Sequence, residues 1–184
     1  MSHSMEQDVD KVLISQEEIA RRVKELGAQI TADYDGESLI LVGILKGANI
    51  FMADLARAIQ GRIQMEFMVV SSYGSEAETS GKINIIKDIN RDIEGKNILL
   101  VEDIIDTGLT LKYLQEYLKD RHAKSVKICT LLDKPERRQA NVHVDYIGYE
   151  VPNEFIIGYG IDYAEYYRNL PYIASLKREI YEHK

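Results

Sequence analysis

Residues 101 to 110 read Val-Glu-Asp-Ile-Ile-Asp-Thr-Gly-Leu-Thr. Three carboxylates, Glu102, Asp103 and Asp106, thus lie beside two threonines and a glycine. The apolar run 98–101 precedes them, and Leu111, Leu114 and Leu118 follow at helical spacing. The segment is therefore a strand, a loop and a helix start. A helix start offers unpaired N–H groups and the positive end of the dipole, which suit a phosphate. Thr107 and Thr110 supply hydroxyl donors, and Gly108 lets the backbone approach closely. Glu102 and Asp103, adjacent at a strand end, have the chemistry to accept hydrogen bonds from two ribose hydroxyls or to hold magnesium through water. Asp106 falls between sugar and phosphate, where it could act on a base. A single aspartate here would be read as a helix cap that favours the dipole. Three acids in Glu-Asp-x-x-Asp-Thr-Gly-x-Thr point instead to sugar-phosphate chemistry.

Positioning these groups requires a rigid frame, and the rest of the chain describes one. Ser15 with Glu18 forms a capping box, and Ile19, Val23 and Leu26 continue a helix that Gly27 is expected to end. Residues 39–44 are continuously apolar, as in a strand buried on both faces. A helix with Phe51, Leu55 and Ile59 follows. Further strands are expected at 67–70, 83–89, 98–101, 126–132, 144–149 and 155–158, and a terminal helix at 172–181. The alternation of strands and helices implies an α/β fold with a largely parallel central sheet flanked by helices. In such sheets ligands bind beyond the carboxyl ends of the strands. The expected organisation is one domain over 1–184, with a disordered tail over about 1–12 and a polar, mobile loop over about 73–84.

The chain has 184 residues, is 45% hydrophobic and carries a net charge of −7. The acidity argues against non-specific nucleic-acid binding, and no apolar stretch has the length of a membrane span. A single cysteine excludes an internal disulfide and a CxxC zinc site, and a cytoplasmic address is the default. Cys129, inside an apolar run, reads as a buried strand thiol. His3, His122, His143 and His183 have no metal spacing. No GxGxxG follows the first apolar strand, which disfavours a dinucleotide-binding domain.

Residues 101–110 resemble the phosphoribosyl pyrophosphate motif of the type I phosphoribosyltransferases, in the form of the hypoxanthine-guanine branch. The resemblance extends from about Leu13 to Leu176 and rests on three further segments. Leu45-Lys46-Gly47 is similar to the family's pyrophosphate loop, whose peptide before the lysine is often cis. Ser72-Tyr73 resembles the start of a flexible lid. The stretches Asp133-Lys134-Pro135 and 150–168 resemble the purine pocket, beneath a small hood.

The resemblance implies roles for individual residues. Asp106, Thr107, Gly108, Leu109 and Thr110 would hold the 5′-phosphate, with Leu109 at the loop's variable position. Lys46, Gly47 and Arg168 would bind pyrophosphate. Lys134 would donate to the 6-oxo group of a purine, Phe155 would stack on its ring, and the backbone of Ile156 would meet its far edge. Asp162 would border the purine and hold the Mg2+ that rides on pyrophosphate, with Glu102 and Asp103 as the other Mg2+ residues. The implied reaction joins N9 of hypoxanthine or guanine to the sugar of phosphoribosyl pyrophosphate. The products would be IMP or GMP and pyrophosphate. Glu102 and Asp103 would favour the cationic sugar, and Asp106 would be the general base. Lys134 disfavours adenine, because an amino group cannot accept its hydrogen bond; guanine and xanthine differ at C2, where the sequence is silent. A homodimer or homotetramer is implied as well, without nucleic-acid or membrane partners. A regulatory RNA-binding relative would need a basic face, and Lys134, Arg137 and Arg138 form a tight basic cluster in an acidic chain.

Overall fold

Leu39–Leu45 (β2) and Asn97–Ile105 (β5), each with a long buried apolar run, pair with each other in parallel at the middle of the main sheet. A computed structural model describes residues 4–72 and 83–182. The other main-sheet strands are Ile63–Ser72 (β3), Ile83–Lys87 (β4), Ser125–Asp133 (β6) and Tyr146–Glu150 (β7). Their order is β4-β3-β2-β5-β6-β7. Every pairing is parallel except β3 with β4.

Helices α1 (Gln16–Asp33) and α2 (Asn49–Ala58) cover one face through a cluster that includes Val23, Leu26, Phe51 and Leu55. Helix α3 (Leu109–Asp120) covers the other with Leu111, Leu114 and Leu118. The expected α/β architecture is thus present. From β2 the chain crosses to β3 on one side, and later enters β5 on the other. The order therefore reverses between β2 and β5, which opens a crevice at their carboxyl ends. Lys46-Gly47 and Glu102–Thr110 emerge at that crevice.

A second sheet forms a hood from Val9–Ile14 (β1), Ile156–Ile157 (β8) and Ile173–Leu176 (β9), in the antiparallel order β1-β9-β8. It corrects two expectations. The tail expected to be disordered over about 1–12 instead carries a short 3-10 turn at Met5–Asp8 and then β1. As an edge strand β1 buries only Ile14 and leaves Val12 exposed, so its residues show no inward–outward alternation. The terminal helix expected over 172–181 is instead a strand followed by a short helix. All of Ile173–Leu176 is buried between two partners, and only Arg178–Tyr181 (α4) is helical. A short strand buried on both faces has no alternation that distinguishes it from a helix.

Smaller differences have equally local causes. The capping box on α1 is present, with Ser15 Oγ accepting from Glu18 N–H at 3.1 Å and Glu18 accepting from Ser15 N–H at 2.8 Å. Gly27 does not end the helix; a Cβ there would lie 2.5 Å from the Ala58 carbonyl, so the glycine lets α1 press on α2. Of the segment assigned to the loop at 73–84, residues 83 and 84 belong to β4, and 73–82 lie outside the described residues.

Candidate active site

Strand β5 is fully buried over its first five residues and opens at Glu102, Asp103 and Ile104. The Asp103 N–H donates to Glu102 Oε1 at 3.0 Å, and the Ile104 N–H donates to Asp103 Oδ1 at 2.7 Å. Both residues retain some surface, yet protein atoms crowd their carboxyls. Burial, and then the neighbouring Asp103 charge, push Glu102 well above the usual carboxylate range. Burial also raises Asp103, against the opposing pull of hydrogen bonds and the Arg168 charge.

Gly47 packs directly on this pair. A Cβ at Gly47 would stand 1.8 Å from Asp103 Oδ2. One layer further out, a Cβ at Gly160 would stand 2.3 Å from the Gly47 carbonyl oxygen, and Gly160 has φ +100°. The backbone of the 158–168 turn therefore lies on the loop after β2, which lies on the carboxylates of β5. The Leu45–Lys46 peptide is cis, as the resemblance implied.

The same turn gathers the basic groups. Arg168 Nη1 donates to the Gly160 carbonyl at 2.7 Å. Its Nη2 meets Asp162 at 3.3 Å and Glu165 at 3.2 Å. Lys46 Nζ pairs with Glu165 at 2.6 Å. The Lys46 hydrogen bond is the main cause that holds Glu165 below its ordinary value. Arg168 Nε is buried without a hydrogen-bond partner among the described residues. Lys46, Gly47 and Arg168, distant in sequence, thus converge beside Asp103.

On the other side of Asp103, the loop 106–110 leads into α3. Gly108 is the N-cap, at φ +77°, and no side chain caps the helix. Thr107 Oγ1 lies 3.4 Å from the Leu109 N–H, and the Thr107 carbonyl accepts from Gln139 and Ala140 N–H groups at 2.9 and 3.0 Å. Arg138 spans this loop. It pairs with the Asp133 carboxylate, and its Nε donates to the Asp106 carbonyl at 3.2 Å. Sequence reasoning saw Arg138 only as part of a basic cluster. Lys134 and Arg138 are in fact turned inward, so that cluster is no basic face.

Asp106 also lines a cleft of about 900 Å³, together with Ile104, Lys134, Phe155, Ile156 and Ile161. Asp106 Oδ1 is buried without a hydrogen-bond partner among the described residues, 3.9 Å from Lys134 Nζ. That ammonium donates to the Glu154 carbonyl at 2.8 Å, and burial lowers its pKa. The volume of the cleft admits a flat heterocycle, and Ile104 and Phe155 give it apolar wall.

Asp162 does not line this cleft but stands with Arg168, its Oδ2 accepting from the Glu165 N–H at 2.9 Å. Among the described residues no three His, Cys, Asp or Glu side chains gather as a metal site, so Glu102, Asp103 and Asp162 do not form one cluster. Ser72 ends β3, while Tyr73 lies outside the described residues.

Residues 11–164 match the family described as the phosphoribosyl transferase domain. This chain belongs to that family. It is 54% identical over 178 residues to the hypoxanthine-guanine phosphoribosyltransferase of Bacillus subtilis, covering 97% of this chain and 99% of that one. It is 53% identical over 180 residues to the bifunctional protein TilS/HprT of Listeria innocua, of which it spans only 28%. A crystal structure of a hypoxanthine phosphoribosyltransferase from Staphylococcus aureus superposes with a TM-score of 0.95 at 49% identity, covering 98% of both chains. The protein is thus a phosphoribosyltransferase with that family's fold. Among the described residues, no helix of this transferase is long and apolar enough to cross a membrane.

Proposed function

We propose that this phosphoribosyltransferase serves purine salvage, joining N9 of hypoxanthine, and of guanine, to the phosphoribosyl group of phosphoribosyl pyrophosphate. The observation that carries the reading is one cleft lined by a buried ammonium, a partnerless carboxylate oxygen and an open aromatic ring: Lys134, Asp106 and Phe155. An ammonium has three donors. One of those on Lys134 is taken by the Glu154 carbonyl, and another suits the 6-oxo group. Phe155 offers a face for stacking, worth about 1–3 kcal/mol per base, and the Ile156 backbone meets the far edge.

In the reaction the bond from C1 of the ribose to the pyrophosphate oxygen breaks, and the bond from N9 to C1 forms with inversion. The N7 proton passes to Asp106, whose buried oxygen lacks a competing donor. Glu102 and Asp103 favour the positive charge that develops on the sugar. The free N–H groups at the start of α3, with Thr107, Leu109 and Thr110 around Gly108, hold the 5′-phosphate. Lys46, the Gly47 backbone and Arg168 receive the leaving pyrophosphate. Lid closure from Ser72 and Tyr73 belongs to the same reading.

Magnesium fits the residues present. Two adjacent crowded carboxylates, both raised by burial although the Arg168 charge acts on Asp103, suit a further cation. Magnesium is commonly held by one or two carboxylates, with water and substrate phosphates completing the shell. Glu102 and Asp103 would hold it on the ribose side and Asp162 on the pyrophosphate side. When bound, the cation neutralises charge on the leaving group.

A homodimer or homotetramer in the cytoplasm completes the proposal. It is supported by the family's habit and by the lone buried Cys129. The deciding assay follows nucleotide formation spectrophotometrically with phosphoribosyl pyrophosphate, magnesium and each of hypoxanthine, guanine, xanthine and adenine. Turnover of the first two and not of adenine is expected. Adenine as the preferred base would refute the reading.

A further inference from the structure

Phe155 is 39% exposed although it lines the cleft, so part of its ring is unclaimed. The rest is held by two tyrosines. Tyr181, in α4 near the end of the chain, stacks on it with centroids 4.7 Å apart and planes 22° from parallel. Tyr163 meets it edge-on at 5.3 Å and 87°. One ring fixes the plane of the phenyl group and the other blocks its sliding. Tyr181 is itself rooted: with Ile180 and Tyr163 it packs on the hood cluster of Ile157, Tyr167, Leu170, Ala174 and Leu176. The Leu176 N–H donates to the Phe155 carbonyl at 2.9 Å, which ties the strand leading to α4 to the residue that Tyr181 supports.

We infer that Tyr181 is a positioning residue for the purine, acting through Phe155. This rests on the base-pocket reading above. Tyr181 borders the same cleft, and its ring covers one face of Phe155; the base, Phe155 and Tyr181 would stack in series, with the base on the surface of Phe155 that Tyr181 leaves open. A half-exposed phenyl ring alone samples several rotamers, and a base that stacks on it must first order it. The ring of Tyr181 removes that requirement in advance. The hydroxyl has no part in this contact, which is made by the rings alone.

The test uses the full chain and three variants. Initial rates are measured against hypoxanthine at saturating phosphoribosyl pyrophosphate, and then with the two substrates exchanged. Tyr181→Ala is expected to raise KM for hypoxanthine about two- to tenfold, the worth of one aromatic pair, while KM for phosphoribosyl pyrophosphate stays unchanged. Tyr181→Leu keeps the apolar packing without the ring and should show the same split. Tyr181→Phe should match the parent. Unchanged KM for hypoxanthine in Tyr181→Ala and Tyr181→Leu would overturn the inference. So would an equal rise for both substrates, which marks a loosened fold. A fall in KM would overturn it too, because Tyr181 would then occupy the place of the base. A parent inactive on every 6-oxopurine would refute the underlying substrate reading instead.

Discussion

Replacing Lys134 with Met keeps the length of the stem and removes the ammonium. The side chain is only 11% exposed. One of its three donors is spent on the Glu154 carbonyl at 2.8 Å. The Asp106 oxygen at 3.9 Å is too distant to take a second as a hydrogen bond. At least one donor therefore remains for a purine oxygen. A hydrogen bond from a charged group contributes about 1.5–3 kcal/mol. At about 1.4 kcal/mol per factor of ten, Lys134→Met should lower kcat/KM for hypoxanthine about 10- to 150-fold. KM for phosphoribosyl pyrophosphate should hold within about twofold, since the residue lies on the base side of Asp106. Burial, followed by the charge of Arg137, draws the Lys134 pKa down from 10.5, against an opposing pull from Asp106. The protonated form is the competent one, so activity on hypoxanthine is lost as pH rises through that lowered value. The variant should lack this alkaline limb. Steady-state assays of parent and variant with hypoxanthine, across pH, read both effects. An unchanged kcat/KM, or an equal loss against both substrates, would refute the role of Lys134.

Three further perturbations separate the parts of the site. Asp106→Asn should cut kcat about 10²- to 10⁴-fold while calorimetric affinity for phosphoribosyl pyrophosphate barely changes; equal losses would count against a general base. Glu102→Gln should lower activity yet raise the melting temperature of the metal-free protein. Because the folded-state pKa of Glu102 is raised, the native state holds the proton more tightly, and stability falls as pH climbs above about 4.5. A gain of about 1–2 kcal/mol, or roughly 2–8 °C at this chain length, is expected at neutral pH and not near pH 4; no gain at neutral pH would contradict the crowding argument. Glu165→Gln frees Lys46 and Arg168 from a competing carboxylate. It should lower KM for phosphoribosyl pyrophosphate about two- to fivefold at low ionic strength, and the effect should fade in high salt. A KM that rises would assign Glu165 to binding rather than to competition.

The central sheet and its motif loop were legible because their causes are local. A strand buried on both faces must be apolar throughout, as 39–44 and 98–101 are. A phosphate loop must join a strand to an open helix start, as 101–110 does. The hood was not legible. Strand β1 pairs with β9, Val9 opposite Leu176, across nearly the whole chain. Neither strand carries a pattern of its own, one being an edge and the other buried on both faces. Gly27 resembles a helix stop, since a glycine that admits a neighbouring helix looks in sequence like one that ends its own.

Residue types and their spacing dictate which chemistry is available: the acids of 102–106, the open helix start after them, and Lys134, Phe155 and Arg168 for what they meet. Tertiary structure alone decided what stands beside what. The reversal of strand order between β2 and β5 brings Gly47 onto Asp103. The folding back of 158–168 sets Glu165 between Lys46 and Arg168. The return of the chain end puts Tyr181 on Phe155. Residue type fixes charge and hydrogen-bonding capacity, whereas proximity between distant segments exists only once the core has packed.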